Sequence, residues 1–322
     1  MSPNNNTERG LLDLIIARIP QLKPLQRVAL CRRFSNEDEL LSLPFKSIIE
    51  AAGKQGLLDF ENKSFDIRDS RREAERDAAL MKTRLINYVS IAEPEKYPPL
   101  LAQIYDPPAV LYYRGELPPP DALLLAVVGT RKPCGAALSW TYDFARNAGR
   151  SGQALVSGLA LGIDAMAHRG NVDGGGKTIA VLGSAVDEVY PMQNRQLARR
   201  ILGSGGAIVS EYPPGTPPNK WHFPQRNRII SGLCSSTIVV EAGEKSGALI
   251  TADFALEQNR DVGVAVGNSG APFGTGCARL AEDGALLVKG IENFFVTTAA
   301  TGVFPKQENL AESLARELSV VP

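Results

Sequence analysis

Seven short apolar runs punctuate this chain, at 123–128, 154–157, 178–182, 207–209, 237–240, 262–266 and 286–288. Each is nearly continuous in aliphatic or β-branched residues, and stretches with helical spacing separate them. A strand apolar at consecutive positions is covered on both faces, whereas a half-exposed strand alternates. Such strands alternating with helices predict a mostly parallel, doubly wound α/β sheet over residues 122–295.

The first part of the chain has a different pattern. In residues 11–58, Leu11, Leu12, Leu14, Ile15 and Ile19 form one helical stripe, which Pro20 and Pro24 interrupt. A second stripe follows through Leu25, Val28, Ala29 and Leu30, and Ser35 with Asp38 marks a third helix start. Over 66–84 the charges alternate in sign (Arg68, Asp69, Arg71, Arg72, Glu73, Glu75, Arg76, Asp77), which predicts a solvated helix with pairs one turn apart. Pro94, Pro98, Pro99, Pro107, Pro108 and Pro118 to Pro120 read as extended connectors. The expected organisation is a small all-helical domain at 1–85, the sheet domain at 86–296 and a tail at 297–322 with one short helix over 308–318.

Composition narrows the function classes only a little. Lys plus Arg equals Asp plus Glu at 35 each, so nucleic acid could be held only by a local basic patch. The N-terminal ten residues lack an apolar signal core, and the longest apolar run, 122–128, is far short of a membrane span. A soluble, cytoplasmic protein with no membrane partner is expected. Cys31, Cys134, Cys234 and Cys277 lack metal-ligand spacing, and only His168 and His222 accompany them, so neither metal nor cofactor is expected.

In an open parallel sheet, ligands bind beyond the carboxyl ends of the strands. Gly129-Thr130-Arg131 follows the first run and combines a small residue, a hydroxyl and a planar cation suited to an anion. Ser157, Gly158 and Gly162 follow the second, where glycines let backbone amides approach phosphate and Asp164 can cap the next helix. Gly183-Ser184 follows the third, and Ser246-Gly247 opens a later helix. One glycine after a strand is ordinary turn chemistry, but several such loops on one sheet edge suggest a phosphate-binding rim.

Lys220, Trp221, His222, Phe223, Arg226 and Arg228 concentrate cations and aromatics ahead of and within a helix expected to start after Pro224. The cations suit a phosphate backbone and Phe223, read as exposed, suits an unpaired base. Trp221 reads equally well as a core anchor or an exposed ring. Glu241 could be a general base or an acceptor that orders its loop, and ordering fits better because no nucleophile accompanies it.

These segments together resemble the DprA (Smf) family of DNA-processing proteins over about 90–295. The motifs are Val128 to Arg131, Val156 to Ala160 with Gly162 to Ala165, Ala167 to Gly170, Thr178 to Gly183, Tyr190-Pro191 with Asn194, Ser210-Glu211, Phe223 to Gly232, Val240 to Ala242, Ser246-Gly247 with Leu249 to Ala252, and Gly276-Cys277. The resemblance implies an extended Rossmann fold and a homodimer. It also implies binding of single-stranded DNA, with protection of incoming DNA and loading of the recombinase RecA in natural transformation (competence) and recombination. It places an anion pocket at Gly129, Thr130, Arg131, Ser157 and Gly158, and DNA contacts at Lys220, Phe223, Arg226 and Arg228. The chain departs from the family at Leu161, where arginine is usual, and at Val266-Gly267-Asn268 in place of Val-Pro-Gly. A proline-bounded turn, Pro20 to Pro24, replaces a glycine-rich one, and the winged helix of some members is not expected.

A binding protein rather than an enzyme is the expected class. The alternative is a nucleotide-binding sensor, or a hydrolase of the related lysine-decarboxylase-like superfamily, but the Pro-Gly-Gly-x-Gly-Thr loop of those hydrolases is missing. A dehydrogenase fingerprint is also missing after the first run.

Overall fold

The structure is a computed structural model that describes residues 9–20, 22–53, 66–292 and 294. The expected helix at 308–318, the tail from 297 and the end of the helical module at 54–58 lie outside the described residues. The chain divides into two compact units, Met1–Ala122 with Ala180–Leu233, and Leu123–Ile179 with Cys234–Pro322.

The first unit opens with helices α1 (Leu12–Arg18), α2 (Pro24–Arg33), α3 (Glu37–Leu41), α4 (Phe45–Ala51) and α5 (Ile67–Arg84). Pro24 starts α2, where its missing N–H costs nothing. The cap of α3 is Asn36 rather than Ser35; its side-chain oxygen accepts from the Glu39 amide at 2.9 Å. Both residue types can cap, and Asn36 has the extended backbone that a cap needs. On α5, Arg71 and Glu75 pair one turn apart. Asp77 instead turns inward and takes two hydrogen bonds from Arg18 of α1, at 2.6 and 2.7 Å. The helix ends on Leu85, whose φ of 53° stops further helical bonding.

Two strands follow that the proline pattern concealed: β1 (Asn87–Ser90) and β2 (Val110–Gly115). They pair antiparallel, and β2 pairs antiparallel with β6 (Ala207–Ser210). Four residues carry too little alternation to announce a strand, and the register comes from the partners. Helices α6 (Pro99–Ala102), α9 (Arg195–Gly203) and α10 (His222–Gly232) complete this unit.

The second unit holds β3 (Leu125–Val128), β4 (Leu155–Ser157), β7 (Ser236–Val239), β8 (Asp261–Ala265) and β9 (Leu286–Val288). Within it, β4 pairs with β3, β3 with β7, β7 with β8 and β8 with β9, each time parallel. Helices α7 (Gly135–Arg150), α8 (Ile163–Asp173), α11 (Gly247–Glu257) and α12 (Thr275–Glu282) connect them. Leu125, Val127, Phe144, Leu155, Ile163, Ile238 and Val288 form one buried cluster. Each such side chain contributes about 1.5–3 kcal/mol on leaving water. With β5 (Thr178–Val181), nine strands hydrogen-bond in the order β1-β2-β6-β5-β4-β3-β7-β8-β9. The predicted doubly wound, mostly parallel sheet is present, with an antiparallel pair added at one edge. No described helix is long and apolar enough to cross a membrane.

Candidate nucleic-acid interface

In the second unit the loops after β3 and β4 meet. Gly129 follows β3 beside the start of α8, and a Cβ there would lie 2.6 Å from Ile163 Cγ1. Gly162 has a φ of +82°, and a Cβ on it would overlap the carbonyl of Thr130. Gly129 therefore makes room for the Ile163 side chain, and Gly162 for the Thr130–Arg131 backbone. The Thr130 carbonyl accepts from the Ile163 amide at 3.2 Å, and the Thr130 amide donates to the Glu241 carbonyl at 2.8 Å. Glu241 Oε2 accepts from the Cys134 amide at 2.9 Å, so this carboxylate orders the loop. Arg131 and Lys132 stand exposed at its tip.

Asp164 differs from its expected place. The cap of α8 is Gly162, and Asp164 lies inside the first turn. Its carboxylate reaches back to accept from the amides of Gly158 at 3.1 Å and Ala160 at 3.3 Å. A buried carboxylate at a helix N-terminus is favoured by the helix dipole. The Gly158 amide that the sequence offered to phosphate is thus engaged by the protein. Ser157 is also turned inward, donating from Oγ to the Val127 carbonyl at 2.6 Å. Ser246 caps α11 by accepting from the Ala248 amide at 3.3 Å, with Gly247 exposed beside it.

In the first unit, α10 begins at His222, ahead of Pro224 rather than after it. A proline is tolerated in the first turn, where its N–H would have no helical partner. Trp221 is 66% exposed, and Lys220 Nζ lies 4.8 Å from its ring centroid. This settles the open choice for Trp221 as a surface ring. His222 stacks on Tyr212 at 3.9 Å and its Nδ1 lies 3.2 Å from the Gly183 carbonyl. Phe223 is half-buried, with its ring 5.6 Å from that of Tyr190 and its edge against Gly183.

Arg226 and Arg228, offered to phosphate by the sequence, are instead buried at 4% and 3% exposure. Arg226 donates to the Val181 carbonyl. Arg228 meets Glu211 with both terminal nitrogens and donates from Nε to Asp106 Oδ2 at 3.0 Å. Burial works against its charge, but Glu211 and Asp106 outweigh this and raise its pKa. Burial also raises the Asp106 pKa, against the pull of Arg228. Arg226 and Arg228 are buried on different sides of α10, along with Ile229 and Ile230, and arginine can lie there only with its hydrogen bonds met. The partners Glu211 and Asp106 were not singled out for this role in the sequence.

Among the described residues no cluster of three His, Cys, Asp or Glu could hold a metal. Across the two units, the exposed members of the predicted site are Arg131, Gly247 and Lys220, with Gly129, Thr130, Gly162, Phe223 and Ser246 partly exposed.

The family model described as DNA recombination-mediator protein A matches residues 88–299. The chain is 40% identical over 225 residues to DNA processing protein DprA of Bacillus subtilis (strain 168), covering 68% of this chain and 74% of that protein. It spans about half the length of some other curated relatives that it matches. The X-ray structure of DprA from Streptococcus pneumoniae superposes with a TM-score of 0.71 at 31% identity, covering 90% of this chain and 98% of that one. A Helicobacter pylori DprA structure, described for its single-stranded DNA binding mode, gives a TM-score of 0.58 at 28% identity, covering 67% and 96%.

Proposed function

Because this chain belongs to the DNA recombination-mediator protein A family, we propose that it binds single-stranded DNA and performs no chemical step on it. The observation that carries this reading is the start of α10. There an exposed tryptophan, a lysine over its ring and a half-buried phenylalanine occupy four consecutive positions with His222. Rings accept any unpaired base on their faces, and adjacent cations hold its phosphates. In the second unit, Arg131, Lys132 and Ser246-Gly247 are themselves suited to phosphate at their loop tips. Arg226 and Arg228 act beneath the surface by holding α10 in place. The Helicobacter pylori relative, whose structure concerns single-stranded DNA, supports the same ligand class.

The reading extends to the biology of the family. The chain works in the cytoplasm as a homodimer, protects incoming single strands and passes them to RecA in natural transformation and recombination. The functional organisation is a helical module at 1–85, a DNA-binding domain at 86–296 and a tail at 297–322.

Anisotropy titration of labelled oligo-dT against a duplex of equal length, at one salt concentration, tests the ligand. The single strand should bind more tightly and lose affinity steeply with salt. Arg131→Ala should weaken it about tenfold, as loss of a charge-assisted bond. Phe223→Leu keeps volume against Gly183 but lacks a ring, and should weaken it by roughly ten- to a hundredfold. Equal affinity for duplex would overturn the proposal.

A further inference from the structure

The region around Phe223 does not end at that ring. Tyr190 lies beside it, with ring centroids 5.6 Å apart, and is itself 46% exposed. Two residues on, Met192 is 63% exposed, and the chain then enters α9 at Arg195. The buried side of α9 is Leu197, Ala198 and Ile201. Its outer side carries Arg195, Gln196, Arg199 and Arg200, all exposed. No acidic residue occurs between 195 and 203. In a chain whose positive and negative side chains balance at 35 each, a helix face of one sign is not what composition alone supplies. Two acids precede it at 187 and 188: Asp187 is bound to Arg84 and to the Gly215 amide, and Glu188 lies seven residues before Arg195, outside the helix.

We propose that the outer face of α9, through Arg195 and Arg199, is a second phosphate-binding surface that continues the single strand beyond Phe223 and Tyr190. This rests on the single-strand reading above. Arg195 and Arg199 are one helical turn apart, so their side chains emerge about 5–6 Å from each other on one face. That arrangement suits successive phosphates of an extended strand better than a single ligand. Guanidinium groups hold phosphates by paired hydrogen bonds as well as by charge. Tyr190 and Met192 offer apolar surface for the bases between the two charged regions.

The test uses the full chain, a short oligo-dT of about 5 nucleotides and a longer one of about 20, chosen to lie at or beyond the limits of common single-strand site sizes. Arg195→Glu with Arg199→Glu should weaken the longer oligomer about tenfold or more and leave the shorter one unchanged. The milder double change to Gln should reduce the log–log salt slope for the longer oligomer by about 1.4, the value for two single-strand phosphates. Melting temperatures should match the wild type, because both side chains are exposed. Unchanged affinity and slope on the longer oligomer, with Phe223→Leu still impaired, would overturn the α9 surface and leave the parent reading standing. Equal loss on both lengths would also overturn it, since α9 would then not be an extension. Failure of the wild type to bind either oligomer would overturn the parent reading and this one with it.

Discussion

Arg228 on α10 and Glu211 just past β6 form a two-point ion pair, with Nη1···Oε1 at 2.8 Å and Nη2···Oε2 at 2.7 Å. The guanidinium side chain is only 4% exposed. The pair fixes the helix whose first turn carries the proposed DNA contacts. Breaking a buried pair by removing one partner costs about 3–5 kcal/mol, and removal of Glu211 would leave Arg228 with Asp106 as its remaining carboxylate in this contact. Glu211→Gln should therefore lower stability by an amount in that range, read from urea unfolding. The double change Arg228→Met with Glu211→Leu should recover most of the loss. DNA binding by Glu211→Gln should fall in step with folding. A variant as stable as the wild type but unable to bind DNA would mean that Glu211 serves the ligand directly.

Gly162 tests the loop after β4. A methyl group there meets the Thr130 carbonyl, and its φ of +82° disfavours any side chain. Gly162→Ala should cost about 1–3 kcal/mol through overpacking and shift α8 away from β3. Gly175 also has a positive φ, of +83°, but nothing lies within 4 Å of its Cβ position. Gly175→Ala should be distinctly milder. Thermal melts of the two variants compared with the wild type decide whether contact or backbone conformation dominates.

The chain has two tryptophans, which makes fluorescence specific. Trp140 stacks on Phe144 at 4.8 Å and donates from Nε1 to the Lys289 carbonyl at 3.0 Å. Trp221 is exposed beside Lys220. Oligo-dT should quench emission by stacking on Trp221. The quench should survive Trp140→Phe and disappear in Trp221→Leu. A quench carried by Trp140 would move the strand to another part of the protein.

Thiol reactivity should separate the cysteines. Cys134 is exposed, whereas Cys31, Cys234 and Cys277 are buried. Burial pushes the Cys277 thiol up to about 11. Since the thiolate is the reactive form, one thiol should react quickly with an aromatic disulfide at pH 8 and the other three only on unfolding. Cys134→Ser should abolish the fast phase. The sign for stability follows from proton binding. Between the ordinary value of 9.0 and about 11, the folded form keeps a proton on Cys277 that the unfolded form has lost. The contribution from this thiol is therefore fully present below pH 9 and is lost as pH rises toward 11. Cys277→Ala should flatten that part of the stability profile.

The seven apolar runs were enough to place seven of the nine strands among the described residues, because burial on both faces leaves a continuous local imprint. The loops after β3 and β4 were legible for a similar reason: a close approach demands glycine at that position, against the Ile163 side chain at Gly129 and against the Thr130 carbonyl at Gly162. The same glycines proved to serve helix–strand contact, a distinction that sequence does not carry. Strands β1 and β2 were hidden because four to six residues among prolines borrow their register from partners elsewhere. The arginines of α10 were misleading because an arginine looks the same in sequence whether it meets phosphate or carboxylate. Arg228 finds Glu211 17 residues away and Asp106 122 residues away. Asp164 turned from helix cap to loop clasp because its reach depends on where Gly158 and Ala160 are carried by the fold. Local sequence thus determined which segments must be buried, since apolar area acts residue by residue. Only the tertiary structure decided which charges face water, because a charge can be buried wherever distant groups converge to satisfy it.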